Sequence, residues 1–90
     1  MADVEAPLTI LYFAWLRERV GASEEHVPLP AGVATVADLT AWLSDRGPGH
    51  ASAFANRRTV RCAVNQEFAD PATRIGPGDE VAFFPPVTGG

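Results

Sequence analysis

Residues 8–14, Leu-Thr-Ile-Leu-Tyr-Phe-Ala, are apolar at both parities except at Thr9. A strand with one face in water alternates apolar and polar side chains, so this run predicts an interior strand covered on both faces, or nearly so. Residues 15–20 have helical composition but are too few to be stable alone, and Gly21 ends them. Residues 24–29 leave room for a second strand, which Pro28 and Pro30 place at a sheet edge. The principal helix follows. Thr35 is a good N-cap, Asp38 stands three positions on as in a capping box, and Val36, Leu39 and Leu43 form one apolar stripe flanked by Trp42. Gly47 is expected to cap this helix in the left-handed conformation, with Pro48 blocking continuation. Residues 48–58 read as an irregular, exposed connection.

Residues 59–65 alternate towards Val60, Cys62 and Val64, which predicts a strand, and Asn65-Gln66 predicts a turn into a short return strand around Phe68. Asp70-Pro71 breaks that strand, Gly76-Pro77-Gly78-Asp79 is a strong turn, and residues 80–84 form the last strand. Pro85 and Pro86 end it, because neither has an N–H to give to the ladder. Residues 1–7 are then a flexible lead-in, 8–84 one domain, and 85–90 an extended tail. One helix on one face of a mixed sheet is an α+β layout, with the first and last strands as central neighbours.

Composition agrees with one folded domain: ninety residues, 47% apolar and 20% charged, can bury a core. Seven arginines against eleven acidic residues leave a net charge of −4. Scattered basic residues on an acidic chain give no footprint for nucleic acid or an anionic membrane. No apolar stretch approaches the ~20 residues that span a bilayer, and the N-terminus lacks the basic start and apolar run of a signal peptide. A single cysteine forms no internal disulfide, which fits a reducing cytosol, so the expected location is cytoplasmic. Lysine is absent altogether. A codon preference is the favoured cause, the alternative being that a chain with an activated C-terminus gains by lacking amines that could attack it. Either way the N-terminal amine is the one group that could form an intramolecular isopeptide-like link.

The last residues, Pro85-Pro86-Val87-Thr88-Gly89-Gly90, suggest where the chemistry lies. Glycines without a Cβ can pass through a channel too narrow for other residues. Two prolines favour an extended course, and six residues reach roughly 20 Å at most. A terminal carboxylate, with a pKa of about 3.5, is ionised and a poor electrophile. It reacts once converted to an acyl-adenylate or thioester, and the chain has no Gly-rich phosphate loop, so another protein must activate it. Other candidates carry less. Cys62 alternates inward and reads as an inert buried thiol. His26 and His50 have no second ligand at metal spacing. Glu24-Glu25, Arg57-Arg58 and Arg17-Glu18 read as surface charge, although the last pair could also touch a partner.

The segment Asp79-Glu80-Val81-Ala82-Phe83-Phe84-Pro85-Pro86-Val87-Thr88-Gly89-Gly90 resembles the C-terminus of the MoaD family, the small subunits of molybdopterin synthase. Tyr12-Phe13-Ala14 with Arg17-Glu18 resembles that family's Phe-Ala-x-x-Arg-Glu signature, Thr35-Val36-Ala37-Asp38-Leu39 its helix start, and Ala63-Val64-Asn65-Gln66 its hairpin. The resemblance covers most of the chain from residue 12 to residue 90. It implies a β-grasp (ubiquitin-like) fold and a sulfur-carrier role. Gly90 would be adenylated by a MoeB-type enzyme and converted to a thiocarboxylate. The tail, Pro85, Pro86, Val87, Thr88 and Gly89, would enter a MoaE-like large subunit and deliver sulfur to cyclic pyranopterin monophosphate. The resemblance further implies a heterotetramer of two small and two large subunits, a separate sulfur-donor protein, and an active site supplied by the large subunit. It implies no cofactor on this chain, ATP being used by the activating enzyme. Phe13, Phe68 and Phe84 map to an exposed partner-binding patch, where the alternative is three ordinary core residues. A ubiquitin-like modifier of lysines, or a carrier for thiamine or cysteine synthesis, shares the tail chemistry.

Overall fold

The computed structural model describes residues 6–86. Five strands, β1 Leu8–Tyr12, β2 Glu24–Val27, β3 Arg61–Val64, β4 Glu67–Ala69 and β5 Glu80–Phe84, form one sheet in the order β2-β1-β5-β3-β4. The first and last strands are central neighbours, as their apolar content implied. They run parallel, with Leu11 opposite Ala82 and Tyr12 opposite Phe83, and the other pairings are antiparallel. β2 lies at an edge, with Pro28 just beyond its last residue.

Three helices accompany the sheet: α1 Trp15–Val20, α2 Val36–Ser44 and α3 Pro48–Ala53. The α2 capping box is present. Asp38 N–H donates to Thr35 Oγ1 at 3.2 Å, and Thr35 N–H donates to Asp38 Oδ2 at 3.2 Å. Such a cap stabilises by about 0.5–2 kcal/mol. The α2 stripe joins Leu8, Ile10, Tyr12, Val81 and Phe83 in the core. Leu39 and Leu43 are fully buried, and each such side chain gains about 1.5–3 kcal/mol by leaving water.

β1 is not covered on both faces. Leu8, Ile10 and Tyr12 are buried, whereas Thr9 and Leu11 are half-buried. The apolar helical residues that reach the core, Leu16, Val36, Leu39, Leu43 and Ala53, all join the cluster on the inner face. The outer face therefore keeps apolar side chains without a helix to cover them.

Residues 48–58 are not irregular either. Pro48 opens α3 instead of merely stopping α2, because a proline at the first helical position gives up an N–H that has no intrahelical partner anyway. Gly47, expected as a left-handed cap, is extended at φ 168° and forms the N-cap of α3, while Asp45 caps α2. Gly49 answers a close approach: a Cβ there would lie 2.4 Å from the Arg19 carbonyl oxygen, so α3 could not pack on the end of α1. Phe54 follows α3 at 2% exposure. Its ring meets Phe83 edge-on at 4.9 Å, and Phe83 stacks on Tyr12 at 6.2 Å. The predicted strand over 59–65 is shorter, since a 3₁₀ turn, Arg57–Thr59, precedes β3.

The hairpin between β3 and β4 turns at Asn65 and Gln66, with φ 51° and 71°. Positive φ at both central residues matches the twist of the flanking strands. The Asn65 side chain donates to Asp79 Oδ1 and accepts from Glu80 N–H, each at 3.0 Å. The hairpin is thereby tied to the turn that launches β5.

Candidate functional site

The outer face is built from alternate residues of four strands. Leu11, Ala82, Ala63 and Phe68 lie in one row across β1, β5, β3 and β4. The next row carries Phe84 opposite Arg61. Phe68 is 87% exposed and Phe13 47%, and the Phe68 and Phe84 rings are 6.1 Å apart. Small alanines between large rings leave an apolar face that no described element covers.

Phe13 lies one step past β1, where its N–H donates to the Phe83 carbonyl at 3.0 Å. Tyr12 and Phe83 point into the core, and the neighbouring Phe13 and Phe84 take the other parity, as alternation predicts. The core alternative does not hold for Phe13 and Phe68, which are exposed; Phe84 is half-buried at the sheet end. Phe68 and Phe84 form a ring pair, whereas Phe13 stands apart at the end of β1.

The chain leaves β1 through Ala14, at φ 56° and ψ −134°. Leu16 N–H donates back to the Phe13 carbonyl at 3.2 Å, closing a tight turn. A residue with a Cβ is strained there by about 1–3 kcal/mol. That strain turns the backbone into α1 immediately after Phe13.

Pro85 and Pro86 continue from β5 and are half-buried. Val87, Thr88, Gly89 and Gly90 lie outside the described residues.

The remaining candidates fall in other places. Cys62 points inward at 8% exposure, and burial pushes its thiol up to about 11. It is therefore protonated and unreactive at neutral pH. His26 contacts Glu24 and, at 3.4 Å, Thr9. Among the described residues no group of three His, Cys, Asp or Glu side chains could hold a metal ion. No helix there is long and apolar enough to cross a membrane.

Glu25 is not simple surface charge. It takes the inner-face parity at the β2 edge, opposite Ile10. Its Oε1 accepts from Tyr12 Oη at 2.7 Å and from Arg46 Nη1 at 3.3 Å, with His50 Nε2 at 3.1 Å. Burial opposes ionisation of this carboxyl, but hydrogen bonds from Tyr12 and His50 and the charges of His50 and Arg46 outweigh it and hold the carboxyl below its usual range. Burial, and then the Glu25 hydrogen bond, push the Tyr12 phenol far up. Alternation with Val27 was the available signal that Glu25 faces inward.

The central parallel pair of first and last strands, the edge hairpin and the helix across one face define a ubiquitin-like β-grasp domain. The chain belongs to the ThiS family, which it matches over residues 10–90. It is 35% identical to the molybdopterin synthase sulfur carrier subunit of Haemophilus influenzae, over 92% of this chain and 99% of that one. Against the Escherichia coli subunit of the same name the identity is 37%, over the same shares of both chains. Among solved structures it is similar to SAMP1 from Haloferax volcanii, with a TM-score of 0.70 and 30% identity, covering 94% of this chain and 100% of that one.

Proposed function

We propose that this chain is the sulfur-carrier subunit of a molybdopterin synthase and works through the main-chain carboxyl of Gly90. The observation that carries the reading is the uncovered phenylalanine face, which ends where Pro85 and Pro86 begin the tail. A protein docked on Phe13, Phe68 and Phe84 would receive the tail directly. The names of the relatives support the choice of synthase.

An activating enzyme of the MoeB type would join the Gly90 carboxylate to AMP, with pyrophosphate leaving from ATP. A sulfur donor would then displace AMP and leave a thiocarboxylate. The loaded tail would enter a MoaE-like large subunit, whose residues supply the active site, and pass sulfur to cyclic pyranopterin monophosphate. This chain contributes docking and reach, and it binds no cofactor of its own. The assembly proposed is two small and two large subunits, in the cytoplasm.

Likeness to SAMP1, a small archaeal modifier protein, favours a second reading in which the same carboxyl is joined to lysines of other proteins. A carrier for thiamine or cysteine synthesis would use the same chemistry, but the Phe83-Phe84-Pro85-Pro86-Val87 segment resembles the molybdopterin branch. Intact mass spectrometry after incubation with activating enzyme, ATP and a sulfur source separates carrier from modifier. Exchange of one oxygen for sulfur supports a carrier, and covalent adducts to other proteins support a modifier. Deleting Gly89 and Gly90 should leave the melting temperature unchanged and abolish sulfur transfer with the large subunit. Full transfer by the truncated chain would defeat the proposal.

A further inference from the structure

Three of the seven arginines of this acidic chain, Arg57, Arg58 and Arg61, fall within five consecutive residues, and all are exposed. They are not scattered in space. Among the described residues the ion pairs are His26–Glu24, Arg46–Glu25 and His50–Glu25, so none of the three has a carboxylate partner there. Like charges held close disfavour the isolated fold, and their use therefore lies outside it.

The backbone that carries them is fixed. Asn56 Oδ1 accepts from Arg58 N–H at 3.1 Å, and Thr59 Oγ1 donates to the Asn56 carbonyl at 2.8 Å. Arg61 Nη1 donates to the Arg58 carbonyl at 3.0 Å, which holds the guanidinium beside the 3₁₀ turn. Arg61 also lies opposite Phe84 in the ladder, one residue before Pro85, so the cluster stands at the tail end of the sheet. Arg57 and Arg61 border a cavity of about 320 Å³ between α2 and the β3–β4 hairpin. Val36, Val60, Cys62 and Phe83 line it, and Asp70 is the acidic residue on its rim. That volume suits a bound side chain.

We propose that Arg57, Arg58 and Arg61 with this cavity form a second docking element, which adjoins the phenylalanine face at Arg61. It takes an acidic segment bearing one apolar side chain, on the protein that accepts the tail. The identity of that protein rests on the sulfur-carrier reading. The apolar side chain fills the cavity while flanking carboxylates pair with Arg57 and Arg61, whose planar guanidinium groups each donate two parallel hydrogen bonds to a carboxylate. Asp70 disfavours a small inorganic anion in the same place. Exposed charges of this kind mainly raise the rate of encounter and fade with salt. They do so without holding the complex together for long, which suits a carrier that must reach one protein, leave it and reach the next.

The test is stopped-flow association of the full chain with purified molybdopterin synthase large subunit, at about 25 mM and about 300 mM NaCl, a range over which surface charges become screened. R57Q/R61Q should associate about three- to tenfold more slowly than the unaltered chain at low salt, with dissociation little changed and most of the salt dependence gone. R19Q/R74Q removes the same charge elsewhere and should behave like the unaltered chain. Equal slowing by both variants would reduce the effect to net charge and overturn the proposal. So would an R57Q/R61Q variant with unaltered rate and salt dependence. Failure of the unaltered chain to bind at either salt would instead overturn the sulfur-carrier reading and this docking element with it.

Discussion

Three non-glycine residues among those described have positive φ: Ala14, Asn65 and Gln66. The two in the hairpin follow what their turn demands, whereas Ala14, at ψ −134°, lies in a region that glycine favours. The side chain is exposed, so removing its Cβ costs little packing. Ala14→Gly should relieve about 1–3 kcal/mol of strain against about 0.5–1 kcal/mol of added unfolded-state entropy. The expected net is roughly 1 kcal/mol, a rise in melting temperature of about 4–8 °C for a domain of this size. Calorimetry of the single variant checks this, and a lower melting temperature would show that Ala14 is unstrained. The strain has a positional use. It stops β1 at Tyr12 and leaves Phe13 on the outer face instead of carrying it on into a longer strand.

At the scale of elements, Glu25 links pieces that have few other polar ties: Tyr12 on β1, His50 on α3 and Arg46 just past α2 all meet its Oε1. Because its folded carboxyl titrates below its usual range, ionised Glu25 contributes stability that is complete above the ordinary glutamate value of about 4.3. That contribution is lost as pH falls through the lower, folded value. Glu25→Gln keeps one acceptor but loses the charge, so it should cost about 1 kcal/mol at pH 7. Melting curves from pH 7 down to about pH 3 should show the deficit shrinking below the ordinary carboxylate range. A deficit that stays constant with pH would mean that shape, not charge, is what Glu25 supplies. This network and α3 are also where the sequence was least legible. The α2 capping box, the Asn65-Gln66 turn and the edge position of β2 are local signals and could be read directly. Pro48 reads as a stop because a proline ends one helix and starts the next with the same chemistry. Phe54 follows the six-residue α3, too short to display a period, and Glu25 looks like any surface acid until the fold brings His50 over it. The outer face was half legible: parity paired Phe13 with Phe84, but an apolar run cannot say that one of its faces lacks a cover.

For the molecule as a whole, consecutive phenylalanines part ways: Phe83 belongs to the core, and Phe84 lies on the face proposed for docking. Phe83 is 1% exposed and packs on Tyr12 and Phe54. Phe84 is half-buried and meets only Phe68 among the described rings. A domain of this size is stable by about 5–15 kcal/mol, and a fully buried phenylalanine cut to alanine costs about 3–5 kcal/mol. Phe83→Ala should therefore lower the melting temperature steeply or prevent folding. Phe84→Asp places a charge where water already reaches, so its cost to the isolated domain should be small. In a complex the same aspartate would be buried against an apolar surface. Loss of an interface anchor costs at least about 2 kcal/mol, and every 1.4 kcal/mol is tenfold in affinity. Phe84→Asp should thus weaken binding to the large subunit about 30-fold or more, at low and high salt alike, while the melting temperature of the free chain shifts by only a few degrees. Titration calorimetry beside thermal melts measures both quantities. If Phe84→Asp unfolds the domain as readily as Phe83→Ala, Phe84 belongs to the core and the docking face shrinks to Phe13 and Phe68. If it folds normally and binds as well as the unaltered chain, the tail must be delivered without this face, and the arginine cluster would be left as the docking surface beside Pro85.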